Sequence, residues 1–323
     1  LDLGKQPFAN DFRPAPEEAF EALRFPLKLV RCRTGNHMYL SKSVDRSTLF
    51  SKYLYQSGTS ASLLQYFDWL AEKVINETTR EKAGGGVVLE LASNDGSQLD
   101  KFKTKGWSTY GIDPAENLVP LSTEKGHKVE VGFWGANTFT HLPKPDALDA
   151  VVAQNVLAHV PHPVDFLKAC DKAMGTQTKL YIQTSQCQMH QQGQFDTAYH
   201  EHISFFTGHS FERAADLAGL RITNFETTPI HGTSCLVTLQ KRKGNNTVAS
   251  HGKTLRRRVE EEKRDGIDED FFYVKFRERA QLIRSWISRQ LAGLARSGWR
   301  IGAYGAAAKG MVLLHFLMKD DDE

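Results

Sequence analysis

The chain has 323 residues, 40% of them hydrophobic and 24% charged, a globular composition that excludes disorder and collagen-like repeats. Its 41 Lys and Arg against 38 Asp and Glu leave a formal charge of +3, too near neutral for nucleic-acid or membrane-surface binding to be the main activity. The cysteines, Cys32, Cys170, Cys187 and Cys235, include no CxxC pair, so neither a zinc knuckle nor a disulfide framework is visible, and a reducing, cytoplasmic setting is expected.

No apolar run reaches the ~18 residues of a membrane span. Residues 1–5 carry no signal-peptide pattern. In chain order, residues 1–60 read as irregular, because Pro7, Pro14, Pro16 and Pro26 break any long helix. The alternation over residues 25–30 predicts a short strand. From Ser62, the spacing of Leu63, Phe67, Leu70 and Val74 predicts a helix, ended by Gly84-Gly85-Gly86. Strand patterns then fall at 87–91, 109–113, 128–131, 148–153 and 179–183. Helical segments lie between most of them, at 98–105, 115–125 and 163–174. That alternation predicts a parallel α/β sheet with helices on both faces. After a helix at 210–217, residues 222–228 and 234–240 read as an antiparallel pair.

Residues 243–270 are charged, and Arg256-Arg257-Arg258 beside Glu260-Glu261-Glu262 reads as a solvated helix face. Phe276, Ala280, Ile283, Ile287, Leu291 and Leu294 form a helical stripe. Residues 299–304 read as one more strand, running into Gly305-Ala306-Ala307-Ala308-Lys309-Gly310. The expected organisation is an N-terminal substrate-side region over 1–60, a cofactor domain over 61–243, a helical linker over 244–298 and the start of a C-terminal α/β unit over 299–323.

The strongest local signal is Glu90-Leu91-Ala92-Ser93-Asn94-Asp95-Gly96-Ser97, which follows a strand and opens a helix. Such a turn brings a ligand close to the backbone, with helix N–H groups pointing at it. The next strand ends in Asp113, where a carboxylate can accept from both ribose hydroxyls. The G-x-G-x-x-G expected for NAD is absent. Acidic Glu90 with a single Gly96 suits S-adenosylmethionine (SAM) better. The alternative is an Asn/Asp capping turn in an unliganded domain. Gln154 and Asn155 end the fourth strand, placed either to read an adenine edge or to cap a helix. A parallel sheet finished by an antiparallel hairpin suits a Rossmann-like class I methyltransferase better than a dehydrogenase, by analogy.

Residues 194–202 gather Asp196, Tyr199, His200, Glu201 and His202 after the fifth strand. A histidine near its ordinary pKa of ~6.5 is a good base at neutral pH, and a neighbouring Glu can orient it. Metal binding through H-x-H is the rival, without HExxH or a companion Cys.

These blocks resemble, in order and over nearly the whole chain, the SAM-dependent sugar C-methyltransferases of deoxysugar biosynthesis. The resemblance runs through Leu3-Gly4-Lys5-Gln6-Pro7-Phe8-Ala9-Asn10, residues 53–60, Ser93-Asn94-Asp95-Gly96 and Asp113-Pro114-Ala115-Glu116-Asn117. It continues through residues 155–160, 195–202, His231-Gly232-Thr233-Ser234 and 302–310. It implies methylation at C3 of a nucleotide-linked 4-keto sugar. His202 is implied as the base, oriented by Tyr199 and Glu201, with His159 and Tyr55 polarising the enolate. Tyr53, His200, His231 and Lys309 are implied on the sugar nucleotide. Thr59 and Ser60 are implied near the cofactor, beside Glu90, Ser93, Asn94, Asp95, Gly96, Asp113, Gln154 and Asn155. Family members hold zinc through four N-terminal cysteines. Here Cys32 stands with Gly35 and His37, so zinc is not expected, and the C-terminal unit reads as cut short. Ala92 replaces the family's loop glycine. The substrate class leaves an O- or N-methyltransferase, or a weak SAM-binding protein, as the competing readings; oligomeric state is not legible.

Overall fold

The computed structural model describes every residue except 12, 14, 79–84, 136, 138, 243–250, 305–306 and 320–323. Its strands are β1 (Asp2–Gln6), β2 (Phe25–Cys32), β3 (His37–Leu40), β4 (Val87–Leu91), β5 (Ser108–Asp113), β6 (Lys128–Val131), β7 (Ala150–Gln154), β8 (Lys179–Thr184), β9 (Ser204–Phe205), β10 (Leu220–Thr228) and β11 (Ser234–Lys241). Two compact units form. The smaller takes Leu1–Val44, Gln188–Thr207 and the chain from Glu260; the larger takes Asp45–Cys187 and Gly208–Val259.

The larger unit holds a seven-stranded sheet in the order β10-β11-β8-β7-β4-β5-β6. Strands β4 to β8 run parallel, and β11 pairs antiparallel with both β8 and β10. The parallel strands are rich in Val, Ile and Leu because helices cover both their faces. The helix Ala61–Glu77 buries Leu63, Tyr66, Phe67, Leu70, Ala71 and Val74, a stripe at three- and four-residue spacing, against Val88, Val152 and Leu236. The expected helix at 115–125 begins only at Val119, because the Asp113 side chain first caps a turn through Ala115 N–H.

The smaller unit corrects the irregular reading of residues 1–60. Strands β1, β2, β3 and β9 form an antiparallel sheet. Leu3, Leu27, Leu29, Met38 and Leu40 meet Phe205, Phe276, Ala280, Val312 and Phe316 in its core. Phe8, Phe12, Phe25 and Leu29 are the residues the sequence offers to hold this region; Leu29 lies in this core, the Phe8 and Phe25 rings stack 4.9 Å apart, and Phe12 lies outside the described residues. Arg31 ties the β2–β3 turn down: Nε donates to Asn36 Oδ1 (2.8 Å), Nη1 to Asp270 Oδ1 (2.8 Å), and the guanidinium sits 4.4 Å from the Tyr273 ring centroid. Cys32 is exposed, and the His37 ring packs 4.8 Å from Phe206. Among the described residues no group of three His, Cys, Asp or Glu side chains is placed to hold a metal.

Residues 188–207, expected within the cofactor domain, belong to the smaller unit. The expected strand at 299–304 does not form among the described residues; Trp299 and Tyr304 are exposed. An alternating apolar pattern makes a strand only where a ladder partner takes its N–H and C=O groups. The stretch expected as a linker contains the helices Lys253–Arg264 and Asp270–Arg296. No described helix is long and apolar enough to cross a membrane.

Candidate functional site

In the larger unit, the turn after β4 leads into the helix Ser97–Lys103. Ala92 and Asn94 adopt left-handed backbone, φ +60° and +51°, and Gly96 follows at +77°. Gly96 admits no side chain, since a Cβ would lie 2.4 Å from Ser122 Oγ. Asp113, at the end of β5, accepts from Asn94 N–H (2.7 Å) and Ala115 N–H (2.8 Å). Burial nevertheless pushes its carboxyl up to about 6. Glu90 is buried beside Asp113 and Asp95, and burial first, then those charges, hold its pKa well above the usual carboxylate range.

Among the described residues, Glu90 Oε2, Ser93 Oγ, both amide atoms of Gln154 and Asn155 Oδ1 are buried without a hydrogen-bond partner. They cluster at the carboxyl ends of adjacent strands β4 and β7, where open α/β sheets bind ligands. Buried polar groups ordinarily find partners, so this set matches a polar ligand with a cationic portion for Glu90. SAM, with its sulfonium and ammonium charges, fits that donor and acceptor set. Asn155 itself is left-handed, φ +51°, with its N–H on the Gln183 carbonyl (2.9 Å).

Around the turn, Asn94 Oδ1 accepts from Ser57 N–H (2.9 Å) and Asp95 Oδ2 from Gly58 N–H (2.9 Å). Thr59 Oγ1 donates to the Gln56 carbonyl (2.7 Å), and Ser60 Oγ caps the helix Ala61–Glu77 through Leu63 N–H (3.4 Å). Both hydroxyls are thus committed to local structure. Tyr55 is half-exposed. His159 is buried against Phe50, ring centroids 5.4 Å apart, and burial lowers its pKa to about 4, which keeps it neutral near pH 7. His231 is exposed at φ +53°.

The smaller unit holds the second cluster. His202 Nδ1 lies 2.9 Å from the Thr197 carbonyl oxygen, which can only accept, so Nδ1 carries the proton. Nε2 is then the acceptor for the Tyr199 hydroxyl at 2.9 Å. The two ring centroids lie 4.0 Å apart, with the planes tilted by 36°. Glu201 Oε1 accepts from Asn10 Nδ2 at 2.7 Å. Burial, then the Glu201 charge, raises the Tyr199 pKa, keeping the phenol protonated. His200 is different: Nε2 donates to the Phe25 carbonyl (3.2 Å), and its ring edge packs on Phe8 and Phe25. It is built in as a structural wedge. Lys309 opens the helix Ala308–Leu317, and its charge draws down the pKa of Asp196, which burial raises.

The structure therefore groups the expected residues in two sets: Glu90, Ser93 to Gly96, Asp113, Gln154, Asn155, Tyr53, Tyr55, Thr59, Ser60, His159 and His231 in the larger unit, and Tyr199 to His202 with Lys309 in the smaller. Sequence reasoning missed Gly58, which carries no Cβ because one would sit 2.7 Å from Asp95 Oδ2 and Ser97 Oγ. It assigned no role to Asn10 or Asn117. Their partners stand 191 and 64 residues away, beyond any local pattern.

This sheet order, with the Gly96 turn after β4 and Asp113 closing β5, defines a class I SAM-dependent methyltransferase. Residues 64–224 match the methyltransferase domain, and residues 229–322 match the C-methyltransferase C-terminal domain. The two matches together mark the chain as a SAM-dependent methyltransferase carrying a C-methyltransferase C-terminal domain. It is 26% identical over 319 residues to C-methyltransferase NovU of Streptomyces niveus, covering 97% of this chain and 74% of that protein. Solved structures similar to it include the PH0226 protein of Pyrococcus horikoshii OT3 (14% identity, 58% of this chain, 95% of that one, TM-score 0.47) and the magnesium protoporphyrin IX methyltransferase ChlM of Synechocystis PCC 6803 with bound SAM (14%, 55% and 79%, TM-score 0.42).

Proposed function

We propose that the chain methylates carbon, using His202 to remove the proton beside the ketone of a nucleotide-linked keto sugar. The observation that carries this reading is the fixed tautomer of His202: Nδ1–H is held by the Thr197 carbonyl, leaving Nε2 as the basic atom. The Tyr199 hydroxyl on Nε2 either hands its proton across or moves aside when the acceptor arrives. Glu201 stabilises the positive charge gained by the Tyr199–His202 pair. The proton leaves a neutral ketone's α-carbon, a poor acid, so donors to the enolate oxygen matter as much as the base. Tyr55 and the neutral His159 are the proposed donors, with Tyr53 and His231 on the sugar and Lys309 on its diphosphate.

SAM, when bound, supplies an electrophilic sulfonium methyl. Glu90 faces the cationic portion, Asp113 takes the ribose hydroxyls, and Ser93, Gln154 and Asn155 take the remaining polar edges. The similarity to NovU supports carbon as the methylated atom, and the ordered blocks from Leu3 to Gly310 support a sugar acceptor. The experiment is product mass after incubation with SAM and a panel of nucleotide 4-keto sugars. A gain of one methyl group resistant to mild acid and base supports C-methylation. Methylation only of hydroxyl or amine acceptors overturns it.

A further inference from the structure

Five backbone polar groups of residues 53–58 pair with side chains of the two loops that end β4 and β5. Tyr53 N–H donates to Asn117 Oδ1 (3.0 Å), and Asn117 Nδ2 donates back to the Tyr53 carbonyl (2.8 Å). The Tyr55 carbonyl accepts from Asn94 Nδ2 (3.0 Å), Ser57 N–H donates to Asn94 Oδ1 (2.9 Å), and Gly58 N–H donates to Asp95 Oδ2 (2.9 Å). Glu116 N–H adds a bond to the Ser51 carbonyl (3.1 Å). Asn94 N–H in turn donates to Asp113 Oδ2 (2.7 Å). One short segment, carrying Tyr53 and Tyr55, is thus tied to the cofactor turn at one end and to the turn after Asp113 at the other.

We infer that Asn117 is a positioning residue: its amide pairs with both backbone groups of Tyr53 and couples occupancy of the cofactor turn to the placement of that tyrosine for the acceptor. Only a carboxamide fits this task. It presents a donor and an acceptor side by side, as one rung of a β-ladder does, whereas Asp offers acceptors alone and Ala neither. The tie at Tyr53 is exposed, so it is a weak, reversible contact; the buried end at Asp95 and Asp113 is the fixed one. A ligand that holds Asp113 and Ser93 in place favours the paired form of the whole segment. The inference rests on the proposed function, in which Tyr53 contacts the acceptor.

The test uses S-adenosylhomocysteine as the cofactor probe. Hydrogen exchange of the Tyr53 amide is followed with and without it in wild type, Asn117→Ala and Asn117→Asp. Wild type should gain several-fold protection at Tyr53 on adding the probe. Asn117→Ala should lose that gain while probe affinity stays within about threefold by calorimetry. Asn117→Asp, which keeps the acceptor for Tyr53 N–H, should fall between the two. With the nucleotide 4-keto sugar that wild type methylates, Asn117→Ala should raise the acceptor KM with little change in that for SAM. Equal Tyr53 protection in Asn117→Ala and wild type, or equal rises in both KM values, overturns the inference. A Tyr53→Phe variant with unchanged acceptor KM and kcat instead removes the underlying reading of Tyr53. An impaired Tyr53→Phe beside a wild-type-like Asn117→Ala sinks the role of Asn117 alone.

Discussion

Ala92 holds φ +60° in the turn after β4, the proposed cofactor site. A residue with a Cβ is strained there by ~1–2 kcal/mol, against an entropic cost of ~0.5–1 kcal/mol for glycine. Ala92→Gly should therefore stabilise the fold by roughly 0.5–1 kcal/mol in urea titration and tighten S-adenosylhomocysteine binding. Asp113 gives a pH prediction. Its carboxyl is raised to about 6, above the unfolded value near 3.8, so its contribution to stability diminishes as pH rises from 3.8 to 6. Ligand hydroxyls donating to it favour the ionised form, so binding has the opposite slope. S-adenosylhomocysteine affinity should drop as pH falls below 6, by up to tenfold per unit, and Asp113→Asn should flatten that dependence in calorimetry. The place of Asp113 was legible because a strand pattern ends on this carboxylate. The reason for Gly58 was not, since its constraint is an oxygen 37 residues away. His200 and His202 look alike in sequence and separate only in space: one donates to the Phe25 carbonyl among aromatic rings, the other keeps an accepting nitrogen on Tyr199. His200→Asn should cost ~1–3 kcal/mol of stability through its unsatisfied, poorly filled site, with the proton-removal chemistry retained.

At the scale of elements, the parallel strands were legible because burial on both faces writes continuous apolar runs such as Val87-Val88-Leu89. The hairpin β10–β11 was legible from two strand patterns around residues 229–233. The four-stranded sheet of the smaller unit was not. Its strands are short and interrupted by a proline, and β9 is a two-residue strand that arrives from 167 residues downstream to pair Phe205 with Met38. The segment at 299–304 erred the other way: the pattern was present, and no ladder partner pairs with it among the described residues. Strand β3 also carries a half-buried titratable ring. Burial lowers His37 to about 4 from the usual 6.5, and its Nδ1 has no hydrogen-bond partner among the described residues. The unfolded chain therefore takes up this proton first, so the contribution to stability is complete above pH 6.5 and is lost as pH falls towards 4. His159, also near 4, adds the same sign. His37→Phe should reduce the fall in urea midpoint between pH 7 and pH 5; an unchanged slope would place the titration elsewhere.

For the whole molecule, the chain visits its two units alternately, leaving the larger after Cys187 and re-entering it at Gly208. The excursion carries Tyr199, Glu201 and His202, while the residues proposed to hold the cofactor stay in the larger unit. Composition and strand order cannot show such a division, because a contiguous reading places residues 188–207 with the strands on either side of them. Proton removal can be isolated from methyl transfer by incubating the protein in deuterium oxide with S-adenosylhomocysteine and a nucleotide 4-keto sugar that it methylates, then following deuterium at the carbon beside the ketone by mass spectrometry. Wild type should wash deuterium in. His202→Asn should slow that exchange by ~10²–10⁴-fold while its affinity for S-adenosylhomocysteine stays near wild type. Exchange at the wild-type rate in His202→Asn would contradict the assignment of His202 as the base.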